Sequence, residues 1–297
     1  MNVEDSSGTV ISFPFEQHQV DGLFYHSVTH REDVAILRLH GILGNLLDET
    51  EHLLPGFLAS AGYSSLTMNT LLANLGLFFG FGIFDDAVKQ IDAGCEFLRQ
   101  SGFKKIIVAG HGLGGCMAIR YGALANNSAM YSDIVGIIAV ATPYSMSDTI
   151  RRRWERFGSE PSYDEVCQRA QQLFKQPAED RPAQDEIIAV KRAHGYTARP
   201  EHSDIYTLKT WWSLAGPEAE GAQAHRHVGQ IRLPLLVVHG SRDEMIQRSE
   251  FEGLCRLASK SGNREVTAIL LDANHTFDGK QEELAQLMTK WLAEICQ

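Results

Sequence analysis

Four short segments of the chain hold groups suited to acid–base or acyl chemistry. Residues 105–116, KIIVAGHGLGGC, pass from an apolar strand pattern through Gly110-His111-Gly112-Leu113-Gly114-Gly115 into a helix pattern ending near Leu124. Small residues at 110 and 114 let this strand–turn–helix close sharply, and its central residue then stands above the sheet beside unpaired helix N-terminal N–H groups. That central residue is Gly112, which has no oxygen or sulfur with which to form a covalent intermediate. His40-Gly41-Ile42 follows the apolar run Val34–Leu39, so the N–H of Ile42 can join that of Leu113 in holding a developing oxyanion. Asp243 stands in a turn after the run 234–238, and His275 follows the run 266–271. A histidine oriented by a carboxylate is a general base.

Glycine at 112 relieves the strained positive φ that such a turn imposes on a side-chain residue, and leaves four readings open. His275, oriented by Asp243, deprotonates water or a carbon acid without a covalent step. Alternatively, the chain is a serine hydrolase in which glycine stands for the nucleophile, or a binding protein that keeps the pocket. In the fourth reading Cys116, one helical turn past the elbow, attacks instead; packing the helix is its competing role. Candidate substrate contacts are His40, Asn69 at the end of the run 64–68, Phe79 in the apolar stretch Leu71–Phe84, and Trp211. Each has a structural alternative: His40 shapes its turn, and the aromatic residues form a local core. His111 and His239 read as structural. Arg151-Arg152-Arg153 reads as a solvated helix start, with an anion grip as the alternative.

The elements that must position these groups follow a βα alternation. Residues 10–15 and 23–27 read as short strands with Asp21-Gly22 as the turn between them. The runs 34–39, 64–68, 105–109, 134–141, 234–238 and 266–271 are apolar without alternation, as central strands covered on both faces require. Helix patterns fill 85–100 and 280–296. The architecture expected is a doubly wound, mostly parallel β-sheet. Residues 144–229 contain no strand pattern and read as an inserted helical cap, leaving 10–143 and 230–297 as the core. The cap is expected over the C-terminal strand ends, where open α/β sheets bind ligands.

Composition narrows the partners. With 297 residues, 44% hydrophobic and 22% charged, the chain buries a large core and is not a disordered segment. Its formal charge of -10 repels phosphate backbones and anionic lipid. A small-molecule substrate is therefore expected, without nucleic-acid or membrane partners; homo-oligomerisation stays open. Leu71–Phe84 is shorter than the roughly 18 residues of a membrane span. The five cysteines form no C-x-x-C pair, and residues 1–8 carry no signal-peptide pattern, so reduced thiols and a cytoplasmic location are expected. No metal or cofactor is expected. His26 and His30 straddle a strand end without a partner glutamate. Gly110-x-Gly112-x-x-Gly115 lacks the acidic residue that a dinucleotide site places at the end of the next strand.

Taken together, these motifs resemble the α/β-hydrolase family over about residues 10–296. GHGLGG differs at one letter from the family's GHSLGG, LLVVHGSRDEMI is similar to its acid-bearing turn, and DANHTF to its histidine loop. The order elbow, Asp, His is the family's order. The resemblance implies Asp243 as the acid, His275 as the base, Ile42 and Leu113 as oxyanion donors, and position 112 as the nucleophile seat. The expected activity is on a small carbonyl substrate: an ester, thioester, lactone or a C–C bond next to a carbonyl.

Overall fold

Five of the six apolar runs form the centre of a sheet, whereas the sixth, residues 266–271, is its edge strand and is mostly partly exposed, so it is not covered on both faces as expected. The computed structural model describes residues 8–27, 33–74, 82–125, 131–176, 186–194 and 204–296. Its first half contains β1 (Thr9–Phe15), β2 (His18–Tyr25), β3 (Val34–Leu39), α1 (Glu49–Ser60), β4 (Ser64–Met68), α2 (Phe84–Gln100), β5 (Lys105–His111), α3 (Leu113–Ala125) and β6 (Ile134–Val140). There follow α4 (Met146–Phe157), β7 (Ser159–Glu160), α5 (Tyr163–Phe174), β8 (Ile187–Arg192), β9 (Asp204–Thr207), α6 (Leu208–Ala215) and α7 (Ala224–His227). The chain closes with β10 (Leu235–Gly240), α8 (Arg248–Lys260), β11 (Val266–Leu271) and α9 (Gln281–Ile295).

Eight strands make one sheet in the order β1-β2-β4-β3-β5-β6-β10-β11. Every pair from β4 to β11 is parallel, while β1 and β2 add antiparallel pairs at one edge. Alternate side chains of each central strand enter opposite core layers. Ala35, Leu37, Leu39, Ile106 and Val108 pack with α2, α3 and α8. Val34, Ile36, Ile107 and Ala109 pack with α1 and α9. Both faces are thus covered, which is why β3 and β10 are buried at every position.

Two other expectations need correction. The turn of the first hairpin is Glu16-Gln17, with Phe15 paired to His18; Asp21-Gly22 lies inside β2. β2 begins polar because it is half-exposed: Val20 and Gly22 are buried while Gln19 and Asp21 face outward. Gly22 is required by close approach, since a Cβ there would lie 2.8 Å from Leu66 Cδ1. Second, the segment between β6 and β10 is not purely helical. β7, β8 and β9 form a three-stranded antiparallel sheet. β8 alternates exposed and buried residues over only six positions, and β7 and β9 are too short for periodicity to register.

Trp211 is the centre of this segment. It is fully buried, with Tyr163 at 5.2 Å and Trp154 at 5.8 Å between ring centroids. The Tyr163 hydroxyl donates to the Ala215 carbonyl and ties α5 to the end of α6. Trp211 is therefore packing, not the substrate contact that its type allowed. Trp211→Ala is expected to cost about 3–5 kcal/mol, read as a lower urea midpoint at unchanged slope; an unshifted midpoint contradicts its place in the core.

Candidate active site

Backbone sterics at the end of β5 set the site. α3 starts directly after Gly112, whose φ of +56° lies in the left-handed region. A Cβ on Gly114 would collide with the Leu39 carbonyl oxygen and lie 2.7 Å from that of His40. Only glycine lets the first turn of α3 press against the end of β3. Gly112 differs: a Cβ there would meet ordinary space, 3.8 Å from Gly41 Cα and 4.0 Å from His275 Nε2. Its N–H donates to the Val140 carbonyl at 2.9 Å, which fixes the turn.

His275 faces this opening. Its Nδ1 lies 2.9 Å from Asp243 Oδ2. The other Asp243 oxygen accepts the Met245 and Ile246 amides at 2.8 and 2.9 Å. Burial opposes the charge on Asp243, but the hydrogen bond and attraction of His275, with the two amides, outweigh it and hold the carboxyl below its usual range. The Asp243 side chain is 0% exposed and that of His275 is 19% exposed, so the carboxylate is sealed while the ring reaches the cleft. His239 Nδ1 is 3.8 Å from the same carboxylate, with its ring stacked on Phe251. Burial lowers its pKa, so it remains a neutral neighbour.

Two contacts hold the loop of His275. His111 Nε2 lies 2.9 Å from the His275 carbonyl oxygen; the oxygen only accepts, so Nε2 carries the proton. Burial and the nearby His275 push the His111 pKa down to about 4, and the ring is neutral near pH 7. Thr50 Oγ1 donates to the Thr276 carbonyl at 2.7 Å. Sequence reasoning gave His111 a structural role but did not connect it to the histidine loop.

Gly112, His275, Ile42 and Leu113 line one cleft of about 160 Å³. Among the described residues the Ile42 and Leu113 amides have no hydrogen-bond acceptor. Ile42 and Leu113 also border a small recess lined by Leu43, Leu72, Asn74, Tyr206 and Leu214. Asp48, Met146, Thr149, Arg153, Met245 and Thr276 line the cleft too; of these the sequence pointed only to Arg153, within the anion grip that is the alternative to a solvated helix start. The signal for three of them was present: Met146, Thr149 and Arg153 recur at i, i+3 and i+7, one face of α4. Asp48 faces the cleft with its pKa raised to about 6, chiefly by burial.

Other candidates lie elsewhere. His40 is fully buried; its Nδ1 bonds the Gly41 carbonyl at 2.9 Å and its Nε2 accepts the Thr70 amide at 3.2 Å. It clamps the turns after β3 and β4 together and does not meet substrate. Asn69 Oδ1 accepts the Leu46 amide at 2.9 Å, so it too shapes a loop. Phe79 lies outside the described residues. The Cys116 thiol is buried, with its pKa pushed far up by burial, and its Sγ lies 3.7 Å from the Pro143 carbonyl. It has no thiolate with which to attack. Among the described residues, no group of three His, Cys, Asp or Glu side chains could hold a metal ion. No helix there is long and apolar enough to cross a membrane.

Comparisons with known proteins agree with this fold. The model of the family described as serine aminopeptidase, S33, matches residues 75–273. Est1E from Butyrivibrio proteoclasticus is similar in structure, with a TM-score of 0.64 at 13% identity over 98% of this chain and 99% of that one. The esterase Pf2001 of Pyrococcus furiosus gives a TM-score of 0.64 at 17% identity over 100% and 96%. The monoacylglycerol lipase of Paleococcus ferrophilus gives 0.66 at 17% identity over 93% and 99%. At these identities the likeness is one of fold.

Two outcomes follow from the site's construction. Gly114→Ala is expected to destabilise by about 3 kcal/mol or more through backbone collision. Gly112→Ala, in open space, costs only the left-handed conformation, about 1–2 kcal/mol. Urea unfolding of both variants checks this order, and the reverse order contradicts it. His111 supplies a pH test. Its pKa is about 4 in the fold against an ordinary 6.5, so the unfolded chain binds more protons between these values. Stability therefore falls as pH drops through that window, by at most about 1.4 kcal/mol per pH unit from this group. His111→Gln keeps an N–H donor and is expected to flatten that slope; an unaltered slope contradicts the role given to His111.

Proposed function

The chain belongs to the serine aminopeptidase S33 family of the α/β-hydrolases, and from that premise we propose that it hydrolyses small carbonyl substrates, foremost esters, without a covalent intermediate. The observation that carries this is the opening between Gly112 and His275. The cleft that Gly112 and His275 both line, about 160 Å³, has room for a water molecule beside the His275 ring. In this reading His275 takes a proton from that water while the water oxygen bonds to the carbonyl carbon. The carbonyl oxygen becomes an oxyanion held by the Ile42 and Leu113 amides. When the tetrahedral centre collapses, the bond to the leaving oxygen breaks and the His275 proton passes to it, giving acid and alcohol. Asp243 keeps the ring in the tautomer with a free Nε2 and stabilises its charged form. Residues 144–229 act as the cap that sets the shape of the cleft over the core of 10–143 and 230–297.

The test is hydrolysis of p-nitrophenyl esters of increasing acyl length by three proteins. Slow turnover by the native chain is expected to fall about 100-fold or more in His275→Ala, the general-base share. Gly112→Ser is expected to raise turnover about 1000-fold or more, because loss of one triad member costs at least that much in serine hydrolases. Native turnover that is absent, or untouched by His275→Ala, overturns the water-based mechanism. An inert Gly112→Ser variant overturns the site assignment itself.

A further inference from the structure

We propose that Arg153 binds the carboxylate of an anionic ester, making the substrate of this cleft a half-ester or another small ester with a free carboxylate. This rests on the hydrolytic reading of the same cleft and adds its substrate class.

Three consecutive arginines on α4 meet three different fates, because successive helical residues point about 100° apart. Arg151 faces outward, pairs with Asp164 at 2.9 Å and lies over the Tyr163 ring. Arg152 faces α8 and pairs with Glu250, whose other oxygen accepts the Thr149 hydroxyl and the Tyr144 amide. Both are structural and neutralised. Arg153 shares the cleft face with Met146 and Thr149. Among the described residues it donates no hydrogen bond and forms no ion pair, and its Nε is buried without a partner.

An arginine placed this way is expensive to leave alone, since a buried donor without an acceptor costs about 1–3 kcal/mol. The nearby acid does not answer it. Asp204 feels the charge of Arg153 but is already paired with Arg192. Among the residues lining the cleft, Arg153 is the one arginine or lysine and Asp48 the one carboxylate. A carboxylate offers two acceptor oxygens in the plane that a guanidinium matches. A phosphate dianion fits less well, since one arginine leaves one of its charges uncompensated. The volume of about 160 Å³ limits the ligand to a few carbons, being near the roughly 150 Å³ of a cavity that takes up benzene.

Binding needs no turnover, so calorimetric titration tests this separately from the mechanism. The probes are monoethyl succinate and its neutral counterpart, diethyl succinate, with the native chain, Arg153→Gln and Arg153→Lys. The native chain is expected to bind the half-ester about 10- to 100-fold more tightly than the diester, the range that a charge-assisted hydrogen bond supplies. Arg153→Gln is expected to abolish the preference and Arg153→Lys to restore part of it. Without ligand, Arg153→Gln should leave the melting temperature nearly unchanged or higher, since it removes a buried unpaired donor and no hydrogen bond or ion pair; an arginine held by such bonds would lower it. Equal affinity of the native chain for both probes, no binding of either, or a preference that survives in Arg153→Gln overturns the proposal. The hydrolytic reading stands or falls on the Gly112→Ser and His275→Ala rates with neutral esters.

Discussion

The approach of α3 to the end of β3 constrains everything else in the site. Because Gly114 lies against the Leu39 and His40 carbonyls, the turn at Gly112 closes within a single residue. The helix N-terminus then stands beside Ile42, and the two amides offered as oxyanion donors border the same cleft. A larger residue at 114 would push α3 away and separate them. The nucleophile seat is held by a different constraint, its left-handed backbone. That constraint tolerates a serine at a modest cost, whereas the packing at 114 does not. Glycine at 112 is thus compatible with an intact fold and avoids the strain that a side-chain residue would carry there.

Electrostatics are arranged in layers around that turn. Asp243 is the buried charge, and it stays ionised because three donors converge on it: His275 Nδ1 and the Met245 and Ile246 amides. The surrounding imidazoles of His40, His111 and His239 are shifted toward neutrality by burial. Uncharged rings orient by hydrogen bonding and stacking without competing for the carboxylate. His275 is the partly exposed member, and so it is the ring that a ligand can meet.

The wall formed by α4 is built on another principle. Helical rotation separates Arg151, Arg152 and Arg153, so one basic triplet supplies a surface pair, an interhelical tie and a cleft-facing cation. Nearby, Trp154, Tyr163 and Trp211 hold the inserted segment together. Trp211 belongs to that packing and lines neither the cleft nor the recess beside it.

Much of this protein was legible in its residues. Uninterrupted apolar runs marked the central strands, because strands buried on both faces have no polar side to interrupt the pattern. The glycine turn, Asp243 and His275 could be found because chemistry fixes residue type and the fold fixes chain order, and both survive in a linear string. The hairpin turn and the small antiparallel sheet could not be found. Half-exposed and very short strands, such as β2, β7 and β9, carry too little periodicity. His40 and Asn69 are polar residues beside the site, and only the positions of Thr70 and Leu46 in space turned them into internal clamps. The same holds for Arg153, whose sequence neighbours are equally basic. The sequence alone determined the fold class and the glycine turn between β5 and α3. The tertiary structure decided which polar groups find a partner inside the protein and which are left for a ligand, because hydrogen-bond satisfaction depends on distances between segments far apart in the chain.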